Sequence, residues 1–392
     1  MAHGLEMNMD FEWTEEQRMI REMVRKFTDQ EVRPLAAEID RKEEIPAQLL
    51  KKGVENGLMG IAIPEAYGGS GFGEVGYCIM MEELSHGCAS FAITIAAHQS
   101  IGCMPILLDG TEEQKQKFLV PMARGEKLGA FALTEPGAGS DAGSIRTTAV
   151  EDGDDFVING SKIWITNGGI ADIVILYAAT DPGKGGRGGI TAFIVPTDTP
   201  GFTVGTLEKK MGIRGSNTAE LIFENMRIPR SHVLGKSGDG FKNAMATLGY
   251  GRLGLGAAAV GAGKEMLNLS VRHAQERRQF GKPIADQQII QFYLAEMAAK
   301  IYAMESMVYR TASMADRGEK FSRESATVKF LCTEWQDWIV DRAMQIHGGM
   351  GYMTHMPIER FYRDSRINRI FEGTNEIQHL VIARDVLKKG RY

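Results

Sequence analysis

The chemistry of this chain concentrates in six residues near its C-terminus, Phe371-Glu372-Gly373-Thr374-Asn375-Glu376. Glu372 stands between an aromatic ring and a glycine, after a run of spaced arginines (Arg360, Arg363, Arg366, Arg369) and before an apolar helical pattern over 377–387. A carboxylate beside a bulky apolar ring loses hydration, which raises its pKa and makes it a better general base near neutral pH. Gly373 lets backbone approach a ligand, and Thr374 can cap the helix that follows. Taken alone, the hexapeptide reads first as an acid at a helix start, favoured by the helix dipole. Other segments must decide.

Two further stretches have side chains suited to a ligand. Thr134-Glu135-Pro136-Gly137-Ala138-Gly139-Ser140-Asp141 closes a predicted strand with two glycines, whose backbone N–H groups suit a phosphate or a carbonyl-rich ring. Trp164-Ile165-Thr166 puts an indole and a hydroxyl two residues apart, hence on one face of a strand, where they could hold a planar heteroaromatic ring. Each also suits an ordinary role, as a structural turn and a core tryptophan. His98, in a stretch of small residues over 85–104 without Lys, Arg, Asp or Glu, reads as a buried, satisfied histidine. Pro64-Glu65-Ala66-Tyr67-Gly68-Gly69-Ser70-Gly71 lacks the lysine of a phosphate-binding loop and reads as a turn.

The elements that position these groups fall into three textures. Residues 1–128 are helical, with capping boxes at Thr14-Glu15-Glu16-Gln17 and Thr111-Glu112-Glu113-Gln114. Residues 129–238 read as strands: 130–134, 156–158, 162–166, 173–178, 190–195 and 221–223. Asn159-Gly160 is expected to be a two-residue hairpin turn, and 181–188 a flexible loop. Residues 239–392 return to long helices over 241–277, 286–316 and 322–348, which predict a bundle. The fold class is α+β: an N-terminal helical domain, a middle β-barrel or sandwich, and a C-terminal four-helix bundle.

With 392 residues the chain can bury a large core, and its net charge of −5 argues against nucleic acid as main partner. Cys78, Cys88, Cys103 and Cys332 show neither disulfide-framework nor metal-ligand spacing and read as reduced. No leader pattern and no apolar run of membrane-spanning length is evident, so a cytoplasmic protein without metal or membrane contact is expected. Met1 to Glu6 reads as an artificial addition ahead of the natural start, with Met7 or Met9 an equally good start.

From Phe11-Glu12-Trp13-Thr14-Glu15-Glu16-Gln17 to Ala383-Arg384, the chain resembles the acyl-CoA dehydrogenases, flavoproteins that oxidise acyl-CoA thioesters to enoyl-CoA. Leu133 to Asp141 matches one family signature; Gln345-Ile346-His347-Gly348-Gly349 through Arg363-Asp364 matches the other. The resemblance implies FAD lying against Phe131, Leu133, Thr134, Gly139 and Ser140, with Trp164 and Thr166 flanking the isoalloxazine and Thr166 bonding near flavin N5. It implies that Arg277, Gln279, Phe280, Gln288, Gln345 and Gly349 complete the FAD site of a neighbouring subunit in a homotetramer, and that Thr374 and Glu376 lie at the dinucleotide. Arg277 suits a pyrophosphate through its bidentate fork.

In the same resemblance Glu372 removes the α-proton while the β-hydrogen leaves as hydride, and its own backbone N–H helps hold the thioester oxyanion. Ser140, Tyr250, Arg252 and Gly373 are implied substrate contacts. Some relatives carry the base just before an arginine on the long helix; the matching pair here is Gly251-Arg252, and glycine has no base. Relatives that take glutaryl-CoA have an arginine where this chain has Ala92, so an uncharged short or branched acyl group is expected. The implied partner is an electron-transfer flavoprotein. Two alternatives stay open. An acyl-CoA oxidase would be expected to run longer, and an assembly protein with the same fold would be expected to have lost the base or the flavin contacts.

Overall fold

The computed structural model describes residues 12–390. The addition expected at Met1–Glu6, the alternative starts Met7 and Met9, and Phe11 lie outside the described residues. Helices fill the chain up to Ala123, strands take over at Gly129, and helix returns at Gly240. Both predicted capping boxes form: Thr14 and Thr111 each accept, through Oγ1, the amide three residues on (3.2 Å), and the glutamine there reaches back to the cap amide.

The middle of the chain makes a sheet of eight strands among the described residues: β1 Gly129–Ala132, β2 Thr148–Asp152, β3 Asp155–Thr166, β4 Ile173–Ala179, β5 Ile190–Pro196, β6 Phe202–Leu207, β7 Thr218–Pro229 and β8 Val233–Leu234. Their order is β6-β7-β3-β2-β4-β5-β8, with β1 alongside β4. β1 and β2 run parallel to β4, and the other pairs are antiparallel. β4 is buried on both faces, which is why it reads as a continuous apolar run. β2, β6 and β8 gave no clear pattern in sequence because β6 is largely exposed, β2 ends in the exposed Glu151 and Asp152, and β8 has two residues.

The Asn159-Gly160 hairpin does not form. Both residues lie inside β3, which pairs with β2 on one side and β7 on the other. Gly160 (φ 145°) marks a bulge against β7, and a Cβ there would meet Thr147 Oγ1 at 2.6 Å. Asn159 uses its side chain across the bulge, accepting the Asn225 amide at 2.8 Å. The real reversal is one strand earlier, at Gly153 (φ 64°).

The expectation that no apolar run reaches membrane-spanning length also fails. The helical run Ala89–Asp109 is 21 residues long and apolar enough by length and composition, but 83% of its window is buried inside the protein. It forms the seam between helices and sheet. His98 accepts the Gly129 amide at Nδ1 (2.9 Å) and faces the Met122 carbonyl with Nε2 (3.1 Å). Burial pushes it down to about 4, so it is neutral, as a satisfied histidine should be. The four cysteines are free and buried.

The C-terminal region packs three long helices, Gly240–Glu276, Gln288–Asp316 and Ser322–His347, with the final helix Asn375–Lys389. It is tied to the rest by Arg363, which bridges Asp40 and Glu359, and by Asp364, which accepts the Ile213 amide from the sheet domain.

Behind the 134–141 turn lies a buried ion pair. Lys162 on β3 donates to Glu135 (2.7 Å) and to the Leu133 carbonyl (2.9 Å), while Glu135 also accepts the amides of Arg146 and Thr147. Burial pushes Glu135 up, but Lys162 and the two amides outweigh it and hold the carboxyl below its usual range. Removing one partner of such a pair strands the other's charge. Lys162→Met is therefore expected to lower stability by about 3–5 kcal/mol. Chemical denaturation measures it, and an unchanged midpoint would show the pair to be dispensable.

Candidate active site

Glu372 and Gly373 turn the chain with two consecutive left-handed residues (φ 54° and 89°) before Thr374 caps the final helix by accepting the Ile377 amide at 3.4 Å. A left-handed glutamate costs on the order of 1–3 kcal/mol and persists only where its surroundings enforce it. Those surroundings grip the carbonyls. Glu372 O accepts from Arg252 Nε (3.0 Å), and Gly373 O accepts from Lys329 Nζ (3.0 Å) and Gln378 Nε2 (2.7 Å). With both carbonyls turned to these donors, the Glu372 N–H bonds to nothing among the described residues.

The carboxyl group lies on the long helix Gly240–Glu276 at the point where that helix has no side chain. A Cβ built at Gly251 would sit 2.2 Å from Glu372 Oε2. Oε2 is shut off from solvent and has no hydrogen-bond partner among the described residues. Burial pushes the carboxyl up to about 7, against the charges of Arg252 and Lys329, which pull it down. One helical turn on, Gly254 makes room for Tyr77 from the Gly73–Ser85 helix, whose hydroxyl would be 2.5 Å from a Cβ there. Positions three apart share a helix face, so the carboxyl and the phenol look onto the same side. Tyr250 is half-buried and edge-on to Phe321 at 5.1 Å.

The second group is on the sheet domain. Phe131 leans on Tyr177 (centroids 4.9 Å apart), Leu133 is buried, and Thr134 is half-buried at the start of the turn. Gly139 and Ser140 are exposed, with nothing within 4 Å of a Cβ built at Gly139. Simple strand alternation does not place Trp164 and Thr166, as the sequence suggested. The register of β3 shifts between Lys162 and Ile165, and Trp164 is left-handed (φ 57°). Both still lie off the buried side: Ile165 is buried, Thr166 is half-buried and the indole is 62% exposed. Asn167 anchors the end of the strand by donating to the carbonyls of Thr94 and Gly129.

The structure does not bring the third group to the first. Arg277 ends the long helix, and at 1.5 Å per residue it lies about 38 Å along that helix from Arg252. Gln279 and Phe280 form the hairpin of β9 Arg278–Gln279 and β10 Lys282–Pro283, with Phe280 92% exposed at its tip. Gln288, Gln345 and Gly349 are exposed at nearby helix ends, and Glu376 is exposed on the final helix.

Domain profiles of one family match in sequence along the chain: acyl-CoA dehydrogenase N-terminal domain over residues 14–126, middle domain over 130–226 and C-terminal domain over 238–387. The chain belongs to the acyl-CoA dehydrogenase family. It is 45% identical to the mitochondrial short-chain specific acyl-CoA dehydrogenase of Bos taurus, covering 97% of this chain and 92% of that one. Butyryl-CoA dehydrogenase from Megasphaera elsdenii superposes with a TM-score of 0.95 at 42% identity, over 97% of this chain and 100% of that one. An acyl-CoA dehydrogenase of Bacillus anthracis, solved in complex with FAD, superposes with a TM-score of 0.90 at 41% identity, over 97% of this chain and 68% of that one. The acyl-CoA dehydrogenase fold thus accounts for the helix–sheet–helix order.

Sequence reasoning missed Lys329, Tyr77 and the Glu135–Lys162 pair. Lys329 had a signal: it interrupts a buried stripe of Ser325, Val328, Cys332 and Gln336 at helical spacing. Gly251 was read only as a position without a base, whereas it is the floor on which the Glu372 carboxyl rests. Gly251→Ala is therefore expected to displace the carboxyl and cut turnover at least about tenfold while the fold persists. Steady-state kinetics with circular dichroism would check this; wild-type turnover would show the close approach to be unimportant.

Proposed function

We propose that the protein dehydrogenates a short, uncharged acyl-CoA thioester to the trans-2-enoyl-CoA, with Glu372 as the base. The observation that carries this reading is the Glu372 carboxyl, closed off over Gly251, without a partner at Oε2 and pushed to about 7. A thioester α-proton is a weak acid, so the base must be poised and the developing oxyanion must meet a donor. Glu372 accepts the α-proton. Its own free N–H is a donor available to the thioester carbonyl, because Arg252, Lys329 and Gln378 occupy the neighbouring carbonyls.

The exposed indole of Trp164, the hydroxyl of Thr166 and the open backbone at Gly139 and Ser140 fit an isoalloxazine ring and its dinucleotide. FAD, when bound there, supplies the acceptor for the β-hydride. Phe131, Leu133 and Thr134 line that face, Thr374 and Glu376 stand at the dinucleotide end, and Ser140, Tyr250, Arg252 and Gly373 contact substrate. Arg277, Gln279, Phe280, Gln288, Gln345 and Gly349 serve the FAD of another copy, since the long helix carries Arg277 about 38 Å away from Arg252. A homotetramer provides such a copy. Electrons then pass to an electron-transfer flavoprotein.

Anaerobic titration with butyryl-CoA tests the reaction, with bleaching of flavin absorbance as the readout. Wild type is expected to bleach and Glu372→Gln to bleach about 10²–10⁴-fold more slowly. The wild-type rate should fall as pH drops through about 7, because the carboxyl is then protonated and cannot accept the α-proton. A Glu372→Gln variant that bleaches normally would remove Glu372 from the role.

Ala92, which stands by resemblance where relatives that take glutaryl-CoA carry an arginine, is buried and offers no cation to a carboxylate-bearing acyl group. Butyryl-CoA is expected to outcompete glutaryl-CoA in kcat/KM, and the reverse order in a steady-state comparison would overturn the uncharged-acyl reading.

A further inference from the structure

Lys329 is 0% exposed, on the buried stripe of the Ser322–His347 helix, where an apolar residue would satisfy the packing. A buried ammonium is expensive unless it is put to use. Its two hydrogen bonds go to neutral oxygens, the Gly373 carbonyl (3.0 Å) and Asn375 Oδ1 (2.8 Å). Asn375 is in turn fixed by donating to Thr333 Oγ1 (3.1 Å) and Glu334 Oε1 (2.8 Å), and Glu334 is held by Arg369. The ammonium is thus aimed at the left-handed turn itself rather than at a surface acid.

Resting on the reading of Glu372 as the base, we propose that Lys329 is its positioning residue: the buried ammonium clamps the Gly373 carbonyl, and its charge keeps the Glu372 carboxylate ionised at neutral pH. The charged groups that act on it come from the turn, the long helix, the final helix and its own helix. Glu372 is the strongest attraction, Arg252 on the long helix repels, and Glu376 and Glu334 attract more weakly. Tyr77 faces Glu372 from the Gly73–Ser85 helix. Burial pulls Lys329 down to about 7 and pushes Glu372 up to about 7, and each charge favours the charged form of the other. Arg252 supplies a permanent charge beside them and, among the described residues, bonds the Glu372 carbonyl. Lys329 is therefore the adjustable member of the set.

The test compares wild-type holoenzyme with Lys329→Met and Lys329→Arg. Stopped-flow bleaching by butyryl-CoA is followed from pH 5 to 9, together with KM, FAD content and thermal midpoint. Lys329→Met is expected to move the acid limb of the rate profile up by about one pH unit or more and to lower the rate at pH 7 about fivefold or more. FAD content and KM should stay within about twofold of wild type, because neither is held by this ammonium. Lys329→Arg keeps the charge and should keep the limb in place. An unmoved limb in Lys329→Met overturns the proposal, and so does an equal shift in Lys329→Arg. If Lys329→Met fails to hold FAD, Lys329→Gln retains a donor for the Gly373 carbonyl and should show the same shift. Glu372→Gln separates the two claims: bleaching at the wild-type rate there would sink the base itself, whereas its loss with an unmoved Lys329→Met limb sinks only the role of Lys329.

Discussion

Everything at the site depends on drying one carboxylate without neutralising it. Burial alone can raise a carboxyl by three to five units, enough to leave it protonated and useless as a base at neutral pH. Glu372 stops at about 7 because Arg252 and Lys329 oppose the burial. Neither of them forms an ion pair that would consume the oxygen lone pairs. Arg252 binds the carbonyl of Glu372, and Lys329 binds the carbonyl of Gly373. The charges act through space while the hydrogen bonds go to backbone, and Oε2 stays unpartnered. A proton acceptor has to be in that condition before its proton arrives.

The sheet domain treats its buried carboxylate in the opposite way. Glu135 has a lysine and two amides, and its environment holds it below the usual range. A fully satisfied pair of this kind stiffens what it touches, here the turn through Gly139 and Ser140. One buried glutamate is held rigid and the other is kept reactive: Glu135 has a lysine and two amides on its oxygens, whereas the charges near Glu372 act without bonding Oε2. Both depend on a buried lysine, Lys162 in the one case and Lys329 in the other.

That contrast explains which parts were legible from sequence. Local signals held: the capping boxes at Thr14 and Thr111 need only four consecutive residues. His98 was read as a satisfied core histidine, which its two hydrogen bonds bear out, whereas Phe371-Glu372-Gly373 by itself read first as an acid at a helix start and the base role came from the resemblance. The Asn159-Gly160 hairpin misled because a two-residue turn and a bulge ask for the same residue types. Only pairing with β7, some sixty residues later in the chain, decides between them. The partnership of Gly251 and Arg252 with Glu372 spans 120 residues, and no window of sequence contains it. The apolar run over 89–109 has a composition that fits a lipid bilayer as well as a protein interior, and only its surroundings settle the matter.

The long helix gives the site its geometry at both ends. Near its start it offers glycine twice, three residues apart, so that Glu372 and Tyr77 can press against backbone. Near its end it carries Arg277 and the Phe280 hairpin out to an exposed tip. A rigid rod of 37 residues cannot bring its two ends to one ligand. Side chains at the far end either serve nothing in this chain or serve a ligand held by another copy. On the proposed reading, the exposed phenylalanine at the left-handed hairpin tip is one of the groups that serve the other copy. The helix that seats the base in one subunit would then carry the contacts that close a neighbour's site, and assembly and catalysis would share a single element.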